Sequence, residues 1–135
     1  MDQGVAGATN EDADGARFTV SVGRAPDATV LRLVGELDHD TADALSTAFG
    51  TAFGAGTSRV LVDCEGLEFC DSTGLNVLLR ARLAAADADS AVELTGLRAA
   101  VARLFEITGV AEVFRTYPTL ADALSRSTAA GVEDK

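Results

Sequence analysis

Val60-Leu61-Val62-Asp63-Cys64-Glu65-Gly66-Leu67-Glu68-Phe69-Cys70-Asp71-Ser72-Thr73-Gly74-Leu75 is the stretch whose reading decides the fold. It opens on an uninterrupted β-branched and aliphatic run, Val60-Leu61-Val62, the composition of a strand covered on both faces. A polar, glycine-containing connection follows. At Ser72 the period changes, and Leu75, Leu78, Leu79, Leu83 and Ala86 recur at helical spacing. A buried strand feeding directly into an amphipathic helix is one half of a βαβ unit, so the sheet around it is expected to be largely parallel.

Working outward, the same alternation of strand and helix continues in both directions. Upstream, Arg17 to Val22 alternates polar and apolar residues as a half-exposed strand does, and Arg24-Ala25-Pro26-Asp27 turns the chain. Thr29 to Leu37 then reads as a second strand, antiparallel to the first. Asp40 is placed to cap a helix reaching about Phe53, with Leu45, Ala48, Phe49, Ala52 and Phe53 on one face, ended by Gly54-Ala55-Gly56. Downstream, Ala91 to Thr95 reads as a strand, and Leu97 to Thr108 as a helix stopped by Gly109. Val113 to Arg115 reads as a short strand, and Pro118 to Leu124 as a last helix capped by Thr119. The expected fold is α/β: a mixed, mostly parallel sheet of about five strands with about four helices. Residues 1–16 and 127–135 lack periodicity and are expected as tails around one domain, 17–126.

Composition narrows the function before any motif does. The chain has 135 residues, a length suited to one domain with a proper core, and 47% of them are hydrophobic. Its formal net charge of -10 has the wrong sign for a surface that must displace phosphate counterions, so no nucleic-acid partner is expected. Trp is absent and aromatics are 5%, which also argues against a stacking platform for single strands. Met1-Asp2-Gln3-Gly4 lacks the apolar run of a signal peptide, and no stretch has the ~18 apolar residues that span a bilayer. No membrane role and a cytoplasmic location are therefore expected. Cys64 and Cys70 are too few and too poorly spaced for a disulfide framework or a zinc site, and read as small buried hydrophobes.

The chemistry gathers where strands end. In an open parallel sheet the loops beyond the carboxyl ends of the strands share one edge, and binding sites form there. Two such loops, Gly35-Glu36-Leu37-Asp38-His39 and Phe69-Cys70-Asp71-Ser72, should be neighbours. Ser72 opens a helix, where a serine can cap the first backbone N–H groups and present its hydroxyl at the positive end of the helix dipole. A phosphate there would meet donors, and Gly74 would leave the first turn open to an approaching group. Glu36, Asp38, Asp40, Asp43, Asp63, Glu65, Glu68 and Asp71 lie in or beside these loops, an acidic edge suited to a basic protein surface. Taken alone, a Ser or Asp before an apolar helix is what any ordinary cap looks like.

Three blocks supply the context. They are Leu33-Val34-Gly35-Glu36-Leu37-Asp38, then Val62-Asp63 through Asp71-Ser72-Thr73-Gly74-Leu75, and last Leu104-Phe105-Glu106-Ile107-Thr108-Gly109-Val110 with Val113-Phe114 and Tyr117-Pro118-Thr119-Leu120. In this order and spacing, from about Phe18 to Leu124, the chain resembles the STAS family, and within it the bacterial anti-sigma factor antagonists. The resemblance implies a regulatory protein without enzymatic activity or cofactor. It implies phosphorylation at Ser72 by a cognate anti-sigma factor that is a serine kinase. The unmodified form binds that kinase and frees the sigma factor, the phosphorylated form does not, and a serine phosphatase restores binding. Asp38, His39, Asp71, Thr73, Gly74, Leu75 and Asn76 are the expected partner-binding and phosphosite-flanking residues, in a monomer or weak dimer. Thr73 stands where many members have a second Ser. Cys70 and Asn76 stand where Ile, Met or Leu and Gly or Ala are more usual. A Cys beside the switch raises the idea of redox tuning, with packing as the plainer role.

Other readings fit the residues less well. Ser72, His39 and Asp38 or Asp71 nominally supply a catalytic set, but Ser72 lacks the Gly-x-Ser-x-Gly frame of a hydrolase elbow. A phospho-receiver needs a Lys at a strand end, and the only Lys is Lys135. No Gly-Lys-Ser/Thr run exists for a P-loop, and Gly54-Ala55-Gly56 precedes a strand instead of opening a helix. Cys64, Cys70 and His39 have no standard metal spacing. Within the STAS resemblance the alternative is a subunit of a larger signalling or lipid-transport assembly, without a phospho-switch.

Overall fold

The computed structural model describes residues 17–133, and the expected N-terminal tail lies outside them. Among the described residues, β1 (Phe18–Ala25), β2 (Ala28–Leu37), β3 (Val60–Cys70), β4 (Val92–Thr95) and β5 (Thr116–Tyr117) form one sheet in sequential order. Four helices join it: α1 (Ala42–Gly54), α2 (Ser72–Asp87), α3 (Ala99–Thr108) and α4 (Leu120–Glu133). The β1–β2 pair is antiparallel, and every later pairing is parallel. The expected α/β architecture is the observed one.

Side-chain alternation divides the sheet into two unequal faces. Phe18, Val20, Leu31, Leu33, Val60, Val62 and Leu94 pack with Leu45 and Phe49 of α1, Leu78 of α2 and Phe105 of α3 in the main core. The intervening residues Ala28, Val30 and Leu61 face the other way, where with Tyr117 they meet Ala123 of α4 in a much smaller cluster. Arg59 fastens that second layer. Its guanidinium donates to Glu93 at 2.8 Å and to the Ala123 carbonyl at 2.9 Å, and lies over the Tyr117 ring.

Several elements differ from the sequence reading, each for a physical reason. β3 runs to Cys70 instead of ending near Asp63, because its polar second half keeps pairing with β2 through two register shifts that accommodate extra residues. The inward stripe of α2 is Gly74, Leu75, Leu78, Ala81 and Ala85, while Leu83 and Ala86 face outward. Small residues let the helix sit close to its neighbours, so leucine content alone misplaced the stripe. The Val113–Arg115 segment is no strand: Gly109, at φ 83°, ends α3 and leads into a 3-10 turn over Val110–Glu112, and β5 forms at Thr116–Tyr117. α1 begins after Thr41 and not after Asp40. Thr119 does cap α4, accepting the Asp122 amide at 3.0 Å, and helical backbone continues to Glu133 over part of the stretch read as a tail.

Candidate functional site

The carboxyl ends of β2 and β3 bring the two predicted loops together. Leu37 is in register with Cys70, and the Asp71 amide donates to the Leu37 carbonyl at 3.1 Å. The β2–α1 loop and the β3–α2 turn are therefore joined by backbone.

Asp71, not Ser72, is the N-cap of α2. One carboxylate oxygen accepts from the Thr73 amide at 2.9 Å and the Gly74 amide at 3.1 Å. Ser72 is consequently relieved of capping. The residue is exposed, and its hydroxyl has no hydrogen-bond partner among the described residues. Of the donors expected for a phosphate at this turn, the amides of Thr73 and Gly74 are already taken by Asp71.

Gly74 also has a role other than the one expected. A Cβ there would lie 2.7 Å from Leu37 Cγ and 2.9 Å from Cys70 Sγ, both in the main core. The glycine lets α2 start against the ends of β2 and β3, so it sets the turn from inside. Leu75 is likewise a core residue at 6% exposure. Neither presents a surface. Thr73 is half-buried, and Asn76 is exposed one turn along from Ser72.

The neighbouring loop is held by a cation the sequence reading passed over. Arg17 places one guanidinium nitrogen 2.6 Å from Asp38 and 3.4 Å from Glu36, and the other 3.7 Å from Asp40. The Arg17 hydrogen bond to Asp38 is the main reason that its carboxyl is held down at about 2, helped by the Asp40 amide and the Thr41 hydroxyl and opposed by partial burial. The buried Thr41 hydroxyl accepts the Asp38 amide at 2.9 Å and donates to the Glu36 carbonyl at 2.9 Å, closing the loop from below. His39 projects outward, with Nε2 3.3 Å from Asp40. Hairpin register could have found Arg17: counting back from the Pro26-Asp27 turn places it opposite Glu36.

Asp38, His39 and Asp40 bring possible metal-ligand atoms within 4.8 Å of one another. Arg17 already neutralises Asp38, however, and the group reads as a loop ion-pair cluster. The acidic edge is also thinner than the sequence indicated. Asp63 is 3% exposed, with its carboxylate taking Arg32 Nε at 3.0 Å and the Glu65 amide at 3.1 Å. Glu36, Asp40, Asp43, Glu65 and Glu68 remain exposed.

The cysteines are packing groups. Burial, with Asp63 and then Cys70 adding to it, pushes the Cys64 thiol far above its ordinary value. Burial, with Asp71 adding to it, pushes Cys70 up to about 12. Both are free thiols, and neither has the lowered pKa of a redox-reactive cysteine.

Comparison with known proteins places this geometry. Residues 20–121 match a family model described as "Mlab, STAS domain". An anti-sigma factor antagonist from Mycobacterium paratuberculosis superposes with TM-score 0.75 at 28% identity, over 82% of this chain and 94% of that one. The anti-sigma factor antagonist SpoIIAA in its unphosphorylated form gives TM-score 0.71 at 21% identity, over 82% of this chain and 96% of that one. The Bacillus cell fate determinant SpoIIAA in its phosphorylated form gives 0.64 at 22%, over 79% and 97%. The SpoIIAA likenesses are likenesses of fold. No helix among the described residues is long and apolar enough to cross a membrane.

Proposed function

The chain belongs to the STAS-domain family, and from that premise we propose that it is an anti-sigma factor antagonist switched by phosphorylation of Ser72. Unphosphorylated, it binds a cognate anti-sigma factor that is a serine kinase, and so releases the sigma factor for transcription. The role is supported by the similar mycobacterial antagonist, which matches nearly end to end. The observation that carries the assignment to Ser72 is its availability: because Asp71 performs the capping, the Ser72 hydroxyl stands exposed with no partner among the described residues.

In the transfer, Ser72 Oγ attacks the γ-phosphorus of ATP bound to the kinase. The Oγ–P bond forms, the bond to ADP breaks, and the serine proton passes to a base of the kinase. A phosphoserine adds about -1.5 to -2 charges. With the Thr73 and Gly74 amides taken by Asp71, and Arg17 committed to the β2–α1 loop, the new group finds few local donors and must keep much of its hydration. Docking would strip that hydration, which is how phosphorylation ends binding on this surface despite an acidic edge that attracts a basic partner. A serine phosphatase hydrolyses the ester and restores the exposed hydroxyl.

The test incubates the protein with ATP and each serine-kinase anti-sigma factor of its genome, then maps phosphate by peptide mass spectrometry. Phosphate on Ser72, tight binding by Ser72→Ala and lost binding by Ser72→Asp are the expected results. Absence of label with every kinase, together with co-purification of another assembly, would overturn the reading. That outcome would favour the second one, a STAS subunit of a larger signalling or lipid-transport assembly.

A further inference from the structure

The described residues cover the smaller face of the sheet only in part. α4 closes it over Val30, Leu61 and Tyr117, toward the amino ends of the parallel strands. Beyond Arg32 and Asp63, toward the end that carries Ser72, two large apolar side chains stand nearly half exposed: Val34 at 47% and Phe69 at 48%. Neither belongs to either core. Their orientation follows from alternation. Leu33 and Leu37 of β2 and Cys70 of β3 point into the main core, so Val34, Glu36 and Phe69 point to the opposite face.

Register places them together. Val34 is paired with Gly66 and Glu36 with Phe69. From a strand spacing of ~4.8 Å and a rise of ~3.3 Å per residue, Val34 and Phe69 are diagonal neighbours about 8 Å apart, within the reach of an aromatic ring. Gly66 offers bare backbone between them. The surrounding exposed side chains are Glu36, Glu65 and Glu68, together with Arg32 two residues before Val34; Arg32 is paired with Asp63 and Glu36 with Arg17, so Glu65 and Glu68 leave the rim acidic. Phe69 lies three residues before Ser72, at the end of the same strand. A large aromatic at the centre of a small apolar patch with a charged rim has the composition of a binding hot spot.

We infer that Val34 and Phe69, on the open sheet face beside Ser72, form the apolar anchor of the partner interface, and that the occupant is a basic surface of the anti-sigma factor carrying an apolar side chain. This rests on the function proposed above and extends its interface to residues outside the Ser72 turn and the β2–α1 loop. Charge selects the occupant. Residues 1–16 carry Asp2, Glu11, Asp12 and Asp14 with no Lys or Arg, and a second copy would bring the same carboxylates, so both are repelled by the rim.

The test measures binding of the full chain to the purified serine-kinase anti-sigma factors of the same genome by calorimetry, alongside Ser72 labelling. Phe69→Ala should weaken binding at least tenfold, Glu68→Lys should weaken it and flatten its salt dependence, and Leu83→Ala on the outer side of α2 should leave it unchanged. Because these residues are exposed, unchanged thermal melts are expected throughout. Binding of Phe69→Ala within twofold of wild type, while Ser72→Asp abolishes binding, would overturn this anchor and leave the proposed function standing. Failure of the wild type to bind or be labelled by any kinase would overturn both. Tighter wild-type binding after deletion of residues 2–16, or a dimer that Phe69→Ala converts to monomer, would assign the patch to this chain itself and overturn the inference.

Discussion

One guanidinium and one missing Cβ hold the residues around Ser72 in place. Arg17 keeps the Asp38 carboxyl at about 2, against an ordinary value of 3.8. A depressed carboxyl contributes its stabilisation in full above its unfolded pKa and loses it as pH falls through the folded one. The loop should therefore keep its form down to about pH 2–3, and the Asp38 carboxyl resonance followed by NMR should titrate near 2. In Arg17→Gln that midpoint should rise toward the ordinary value, with the amides of His39 and Asp40 shifting along with it. An unmoved midpoint would deny Arg17 its role. At Gly74 the missing Cβ is what matters. Gly74→Ala overpacks Leu37 and Cys70, which costs about 1–3 kcal/mol, against up to about 1 kcal/mol gained from helix propensity. A net loss of roughly 1–2 kcal/mol by urea denaturation, together with slower Ser72 phosphorylation, is expected. A stabilised Gly74→Ala would show that the turn has room to spare.

Among its described side chains, α4 buries one apolar residue fully, Ala123, and a polar group, Arg59, ties it to the sheet. Burial works against the charge of Arg59, but its hydrogen bond and ion pair with Glu93 and the Tyr117 contact prevail, and the pKa is raised. Arg59→Leu would leave Glu93 held only by the Tyr117 hydroxyl and cut the tie to the Ala123 carbonyl, a loss of about 3 kcal/mol on the scale of broken buried pairs. Hydrogen exchange should then accelerate in α4 and β5 ahead of the rest. Ser72 phosphorylation should persist, because α2 packs in the other core. Uniform acceleration across the sheet would refute such a separation. The elements legible in the sequence were those with strong periodicity, β2, α1, the start of α2 and α3. The second half of β3 was not, since Glu65, Gly66 and Glu68 look like a loop and are held as strand only by pairing with β2. The same non-local register hid Arg17 and Phe69, whereas Asp71-Ser72 and Asp38 could be read from consecutive residues.

For the molecule as a whole, the proposed switch combines a net charge of -10 that acts at long range with a phosphate on Ser72 that would act at contact, and the two have opposite signs for a basic partner. Steering depends on the summed field and governs the association rate, which falls as salt shortens the Debye length from ~10 Å at 0.1 M to ~3 Å at 1 M. The contact effect depends on desolvating one group and governs dissociation. An added negative charge at Ser72 should therefore leave association with the anti-sigma factor as fast as before, or faster at low salt, while complexes fall apart sooner. Stopped-flow measurements on wild type and Ser72→Glu at 50 mM and 500 mM salt separate the two. The expected pattern is an association rate equal within about threefold for both proteins, falling about tenfold or more with salt, and a dissociation rate at least tenfold higher for Ser72→Glu. A collapse of the association rate in Ser72→Glu at low salt would mean that the partner presents an acidic field to this edge. The acidic rim around Phe69 would then repel the partner instead of guiding it in, and both the desolvation account of the switch and the apolar anchor would fail together.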